Sequence, residues 1–98
     1  MAVKVTKFDV VDYLTTTESR QEYLSEAMLT NDYSLISAAL GDIARAEGIG
    51  SISKATGLTR TSLYKSLSET GNPELGTIIK VVNAVGLSLT TTPYTERP

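Results

Sequence analysis

The stretch SISKATGLTRTSLYKSLSETGNP, residues 51–73, restricts the fold more than any other part of the chain. It contains two short helical patterns separated by a lone glycine. Each is shorter than the ~12 residues at which an isolated helix becomes marginal in water, so each must be held by packing on its neighbours. The first pattern runs from about Ser51 to Thr56, with Gly50 as its cap. Gly57 can take the positive φ of a tight turn, Leu58 points into the core, and Thr59 caps the second pattern. A helix–turn–helix is the expected product. Its inward positions are Ile52, Leu58 and Leu63, with Ser53 small where the two helices meet. Arg60, Thr61, Tyr64, Lys65 and Ser68 fall on one outward stripe of the second helix, because helical steps of three to four residues return to the same face.

The rest of the chain reads as further helices. Asp9 can cap a short helix that runs through Leu14, and Thr15, Thr16 and Thr17 are expected to end it, since β-branched hydroxyl residues favour caps and extended backbone. From Glu18 to Thr30, the apolar residues Tyr23, Leu24, Ala27 and Met28 share a face, with Ser19 and Glu22 as a capping box. Asp32 or Ser34 starts the next helix, whose stripe is Leu35, Ile36, Ala39, Leu40, Ile43 and Ala44; Gly48 ends it. Gly41 inside that helix implies close approach of another element. A last helix is expected from an Asn72 cap with Pro73 in the first turn, burying Leu75, Ile78, Ile79 and Val82 and ending at Gly86. Leu87, Leu89 and Thr91 then alternate with polar residues, which predicts a short strand over 87–92. Residues 1–8 read as an extended arm and 93–98 as a loose tail.

Composition narrows the chemistry. The 98 residues include no histidine and no cysteine, which removes the commonest general base, the commonest neutral metal ligand, disulfides and thiolate zinc sites. The carboxylates sit singly among helix-surface patterns, so no acid–base pair suggests itself; the chain is not expected to be an enzyme or to carry a cofactor. No apolar run approaches the ~18 residues of a membrane span, so a soluble, cytoplasmic chain with no membrane partner is expected.

Net charge is -2, but it is unevenly spread. Residues 1–50 carry four cations against eight carboxylates, and residues 51–98 carry five against three. An acidic half is thus joined to a mildly basic one.

The run SISKATGLTRTSLYKSLSETGNPELGTIIKVVNAVGLSL resembles the lambda-repressor-like (Xre, Cro-type) DNA-binding domain. Together with the lead segments FDVVDYLTTTESRQEYLSEAML and LISAALGDIARAEG, it is similar to the branch of addiction-module antidote proteins related to HigA-type antitoxins. The resemblance implies an all-α, five- to six-helix domain over 1–98 with a short C-terminal β-strand. Residues 9–48 would form an acidic helical lead, and 50–86 the helix–turn–helix core and final helix. It further implies a bacterial antitoxin that neutralises a RelE/HigB-like toxin and binds double-stranded operator DNA to repress its own operon.

Carried onto this chain, Arg60, Thr61 and Lys65 would occupy base-facing positions, while Lys54, Thr59 and Tyr64 would face phosphates or the groove edge. The choice between Tyr64 and Lys65 as a base reader stays open, because the chain has Thr56 and Ser66 where the family has apolar residues, with Leu67 available to cover the second gap.

Each of these residues also has a plainer reading. Arg60, Lys65 and Lys54 could be ordinary solvated charges, Thr59 simply a helix cap, and Tyr64 a core aromatic. In the acidic lead, Asp9, Asp12, Glu18, Glu22 and Glu26 either solvate the surface or meet a basic toxin, for which complementary charge would speed encounter. Four cations between Ser51 and Lys80 neutralise few phosphates, so a homodimer reading half-sites about 34 Å apart is expected. The alternatives are a stand-alone phage-type Xre repressor, which needs no acidic partner surface, and a protein-interaction module that binds no DNA.

Overall fold

A computed structural model describes residues 9–96. After a 3₁₀ turn at Val10–Asp12 come five helices: α1 (Thr17–Leu29), α2 (Tyr33–Glu47), α3 (Ile49–Thr56), α4 (Arg60–Ser66) and α5 (Leu75–Ala84). The arm expected over residues 1–8 lies outside the described residues.

Helix α2 is central, because it touches the 3₁₀ turn and each of the other four helices. Its sequence explains this role: Ala39, Leu40, Ile43 and Ala44 follow a three-to-four-residue spacing and are all buried. They meet Leu14, Leu24, Ile49, Ile52, Leu63, Leu67, Val81, Val82 and Val85 in one apolar cluster. Gly41 permits the tightest approach. A Cβ built there would land on the Leu67 carbonyl oxygen, so the end of α4 rests directly on the α2 backbone.

Asp32 starts α2, accepting hydrogen bonds from the backbone N–H groups of Ser34 (3.0 Å) and Leu35 (3.3 Å). The capping box of α1 pairs Thr16 with Ser19 rather than Ser19 with Glu22. Ser19 N–H donates to Thr16 Oγ1 at 3.0 Å, and Thr16 N–H donates to Ser19 Oγ at 3.2 Å. The helix therefore begins at Thr17, inside the threonine triplet. The triplet both ends the 3₁₀ turn and starts α1.

Two expectations are corrected towards the C-terminus. Helix α5 begins at Leu75, not at Pro73, and Glu74 is its extended N-cap residue. Gly71 is still packed on the Lys65 and Ser66 carbonyls, so the chain is turning off α4 where the cap was expected. Val81, Val82 and Val85 are buried, whereas Leu75 (66% exposed) and Ile79 (42%) face outward.

The strand expected over 87–92 does not form. Among the described residues there is no strand, and residues 88–95 make no backbone hydrogen bond to one another or to the other described residues. Alternation is a property of one segment, but a strand needs a second backbone to complete its ladder, and none among the described residues bonds to it. The fold is all-α.

Candidate functional site

Helices α3 and α4 are joined by Gly57, Leu58 and Thr59. Gly57 adopts φ 79° and ψ 6°, a left-handed conformation that glycine reaches without steric cost, and its N–H donates to the Ser53 carbonyl at 2.9 Å. Three side chains lock the turn. The Ser53 hydroxyl donates to the Leu58 carbonyl, Thr56 Oγ1 accepts from the Leu58 N–H at 3.2 Å, and Thr59 Oγ1 accepts from the Ser62 N–H at 3.0 Å to cap α4.

The hydroxyls of Thr56 and Ser66 are satisfied within their own helices. Thr56 donates to the Ile52 carbonyl at 2.7 Å and Ser66 to the Ser62 carbonyl at 2.9 Å, while Leu67, next to Ser66 in the chain, is buried.

Ile52 and Leu63, at 1% and 0% exposed, anchor the pair in the core. Their burial fixes the rotation of α4 and leaves Arg60, Thr61, Tyr64 and Lys65 all exposed, with Thr59 and Lys54 exposed beside them. Tyr64 is 56% exposed, which removes the reading of it as a core aromatic. It also borders a cavity of about 270 Å³ between α2 and α4, together with Asp42, Arg45, Ile49 and Leu67. Among the described residues, no carboxylate lies within ion-pair distance of Lys54, Arg60 or Lys65. Within the described residues these cations carry no ion pair.

The acidic lead forms a second exposed region. Glu18, Glu22 and Glu26 are exposed at four-residue intervals along α1, a spacing that aligns them on one stripe. Asp12 is also exposed. Asp9 is partly engaged elsewhere: its side chain accepts from the Val11 N–H at 3.1 Å and lies 3.7 Å from the Arg45 guanidinium. Glu22 accepts a long 3.5 Å hydrogen bond from the Tyr13 hydroxyl.

A polar clasp between α1 and α2 was not apparent from the sequence. The Tyr23 hydroxyl donates to Asp42 Oδ2 at 2.6 Å, and Arg45 donates to Asp42 Oδ1 at 2.8 Å. Burial, reinforced by the hydrogen bond to Asp42, pushes the Tyr23 pKa up to about 12. The Asp42 hydrogen bond likewise raises the Arg45 pKa. Nearby, Arg20 donates to Glu47 at 2.7 Å and to the Leu14 carbonyl at 3.1 Å. The three-residue spacing of Asp42 and Arg45 is the one local signal of this clasp in the sequence.

No helix among the described residues is long and apolar enough to cross a membrane. No solved structure matches the chain. An uncharacterized protein of Haemophilus influenzae is 44% identical over 87 residues, covering 89% of this chain and 90% of that relative. A family model described as "Probable addiction module antidote protein" matches residues 4–93. A family of antidotes implies a cognate toxin as partner, and it is not a class of enzymes. With nearly its whole length matched, the chain belongs to the addiction module antidote family.

Proposed function

We propose that the chain is the antitoxin of a type II toxin–antitoxin pair, binding a RelE/HigB-like toxin and repressing its own operon through α3 and α4 acting as a helix–turn–helix. The observation that carries the DNA-binding half is the geometry of α4. Leu63 is wholly buried, so Arg60, Thr61, Tyr64 and Lys65 stand outward, and the two cations have no carboxylate partner among the described residues. A B-DNA major groove about 12 Å wide admits one helix, and side chains at the helix N-terminus are those that reach base edges.

Arg60, the first residue of α4, can donate to guanine O6 and N7 through two parallel bonds. Thr61 and Lys65 flank it. Thr59 accepts a hydrogen bond as the cap and keeps its own hydroxyl proton to offer to a phosphate, and Lys54 adds a second phosphate contact from α3.

Two copies per operator fit this small set of cations. The outward Leu75 and Ile79 lie one turn apart on α5 and form an apolar strip that a two-fold partner would cover. The antidote half is supported by the acidic stripe Glu18, Glu22 and Glu26, with Asp12 and the partly engaged Asp9 beside it. A toxin that binds or cuts RNA is basic and is drawn to such a surface.

The deciding experiment starts from a duplex selected by the wild-type protein out of a randomised library. Arg60→Ala should weaken binding to that duplex by about 1–3 kcal/mol and relax preference at one base pair. An Arg60→Ala protein that retains the full preference in competition refutes this use of α4. A co-expressed toxin that never co-purifies with the wild-type chain leaves a plain repressor.

A further inference from the structure

A second concavity, of about 710 Å³, lies away from α4 between α1 and the chain that follows α5. Leu24, Met28 and Leu29 line it from α1, and Leu87, Leu89 and Tyr94 line it from the other side. Apart from Leu24 and the half-buried Leu87, these apolar side chains are substantially exposed: Met28 at 39%, Leu29 at 48%, Leu89 at 36% and Tyr94 at 80%. Among the described residues, no lysine, arginine or carboxylate lines the groove. An exposed apolar groove with a polar border is the usual form of a surface that is covered by something else.

The border identifies the occupant. On α1 the groove-lining residues include Thr17, Gln21, Ser25 and Met28, and each of Glu18, Glu22 and Glu26 immediately follows one of the first three. At about 100° per residue, the acidic stripe therefore runs beside the groove, along its outer lip. A segment with apolar side chains pointing in and lysine or arginine along its edge satisfies both surfaces at once.

Other occupants fit less well. A duplex would bring phosphates against the acidic stripe. A second copy joined by a two-fold axis would present the same acidic stripe to itself, since such interfaces use the same patch on both chains. The far wall also suits a guest. Residues 88–95 make no backbone hydrogen bond among the described residues, so this wall can adjust without breaking a ladder or a helix.

We infer that the groove between α1 and residues 86–95, with Glu18, Glu22 and Glu26 along its lip, is the seat of a basic amphipathic segment of the cognate toxin. The inference rests on the antidote reading and gives that reading a location. Apolar burial in the groove holds the complex, while the carboxylates set its orientation and speed its formation.

The test uses the full chain co-expressed with the small protein encoded by the adjacent reading frame. Met28→Asp and Leu89→Asp each place a charge in the groove at a partly exposed position. Leu35→Asp places one at a somewhat more exposed apolar position outside it. Thermal melting and circular dichroism verify that all three fold.

The two groove variants should weaken the complex by about tenfold or more, with Leu35→Asp within about twofold of wild type. Replacing Glu18, Glu22 and Glu26 by Gln should slow association, most strongly at low salt. If wild type binds the toxin and the folded groove variants bind it equally well, the groove assignment is overturned and the antidote reading stands. If wild type itself forms no complex with that protein, both fall. Loss of self-association in the groove variants, with toxin binding intact, would assign the groove to a second copy and overturn the inference.

Discussion

The guanidinium of Arg60 lies against the first turn of α3, where a Cβ built on Gly50 would come within 2.7 Å of Nη2 and 3.3 Å of Cζ. Gly50 is helical without a positive φ, so its backbone does not require glycine. The missing side chain instead leaves room for Arg60. Gly50→Ala should therefore separate stability from DNA recognition. The helix gains up to about 1 kcal/mol from the substitution. The displaced group is the flexible end of an arginine, which can swing aside at little cost to the fold. Melting should show equal or higher stability, while binding to the selected duplex should fall as Arg60 leaves its resting position. Unchanged affinity would mean that the contact does not orient Arg60 for DNA.

The same substitution should have the opposite effect on stability one helix earlier. A Cβ on Gly41 meets the Leu67 carbonyl oxygen, which is backbone held by the hydrogen bond from Leu67 N–H to Leu63 O at 2.9 Å on one side and by the core on the other. It cannot swing away. Gly41→Ala should destabilise the protein by about 1–3 kcal/mol despite its better helix propensity. Denaturant melts of the two alanine variants, run side by side, check both signs.

Lys65 and Tyr64 should differ on DNA. Tyr64 borders the seam between α2 and α4, whereas Lys65 has no carboxylate partner among the described residues. If Lys65 meets phosphate, Lys65→Ala lowers affinity by a similar factor on every sequence and reduces the salt slope by about one. If it reads a base, the loss concentrates at one base pair. The binding isotherm measured at several salt concentrations on the selected and a scrambled duplex distinguishes the two outcomes.

What could be read from the sequence was local. The left-handed Gly57, the Thr59 cap and the Ala39, Leu40, Ile43 and Ala44 part of the α2 stripe each depend on residues within a few positions, and they appear in the structure as expected, whereas Leu35 at the head of that stripe is exposed and Ile36 only partly buried. The strand over 87–92 failed because alternation cannot reveal whether a second strand will lie alongside. The start of α5 failed because Gly71 has to fold back on the end of α4 before a helix can begin, a contact that Asn72 and Pro73 do not encode. The groove beside α1 depends on where the chain after Gly86 comes to rest. The contact between Gly50 and Arg60 depends on the angle between two helices. Neither has a signature in spacing or composition.

The Tyr23–Asp42 hydrogen bond gives the fold a pH limit. Tyr23 has its pKa raised from 10.0 to about 12, first by burial and then by the bonded carboxylate, so the folded state holds the phenolic proton more tightly than the unfolded chain does. Its contribution to stability is complete below the unfolded value and is lost as pH rises through the folded one. Denaturant stability should fall between about pH 10 and pH 12, with tyrosinate absorbance of one ring appearing late in the same interval. In Tyr23→Phe the proton and its bond are both absent, so the variant should be weaker at neutral pH by about 0.5–1.5 kcal/mol, leaving Asp42 bound to Arg45 alone. Its stability should decline less over the alkaline range than that of the wild type. Equal alkaline slopes in the two proteins would show that the bond between α1 and α2 does not control the transition.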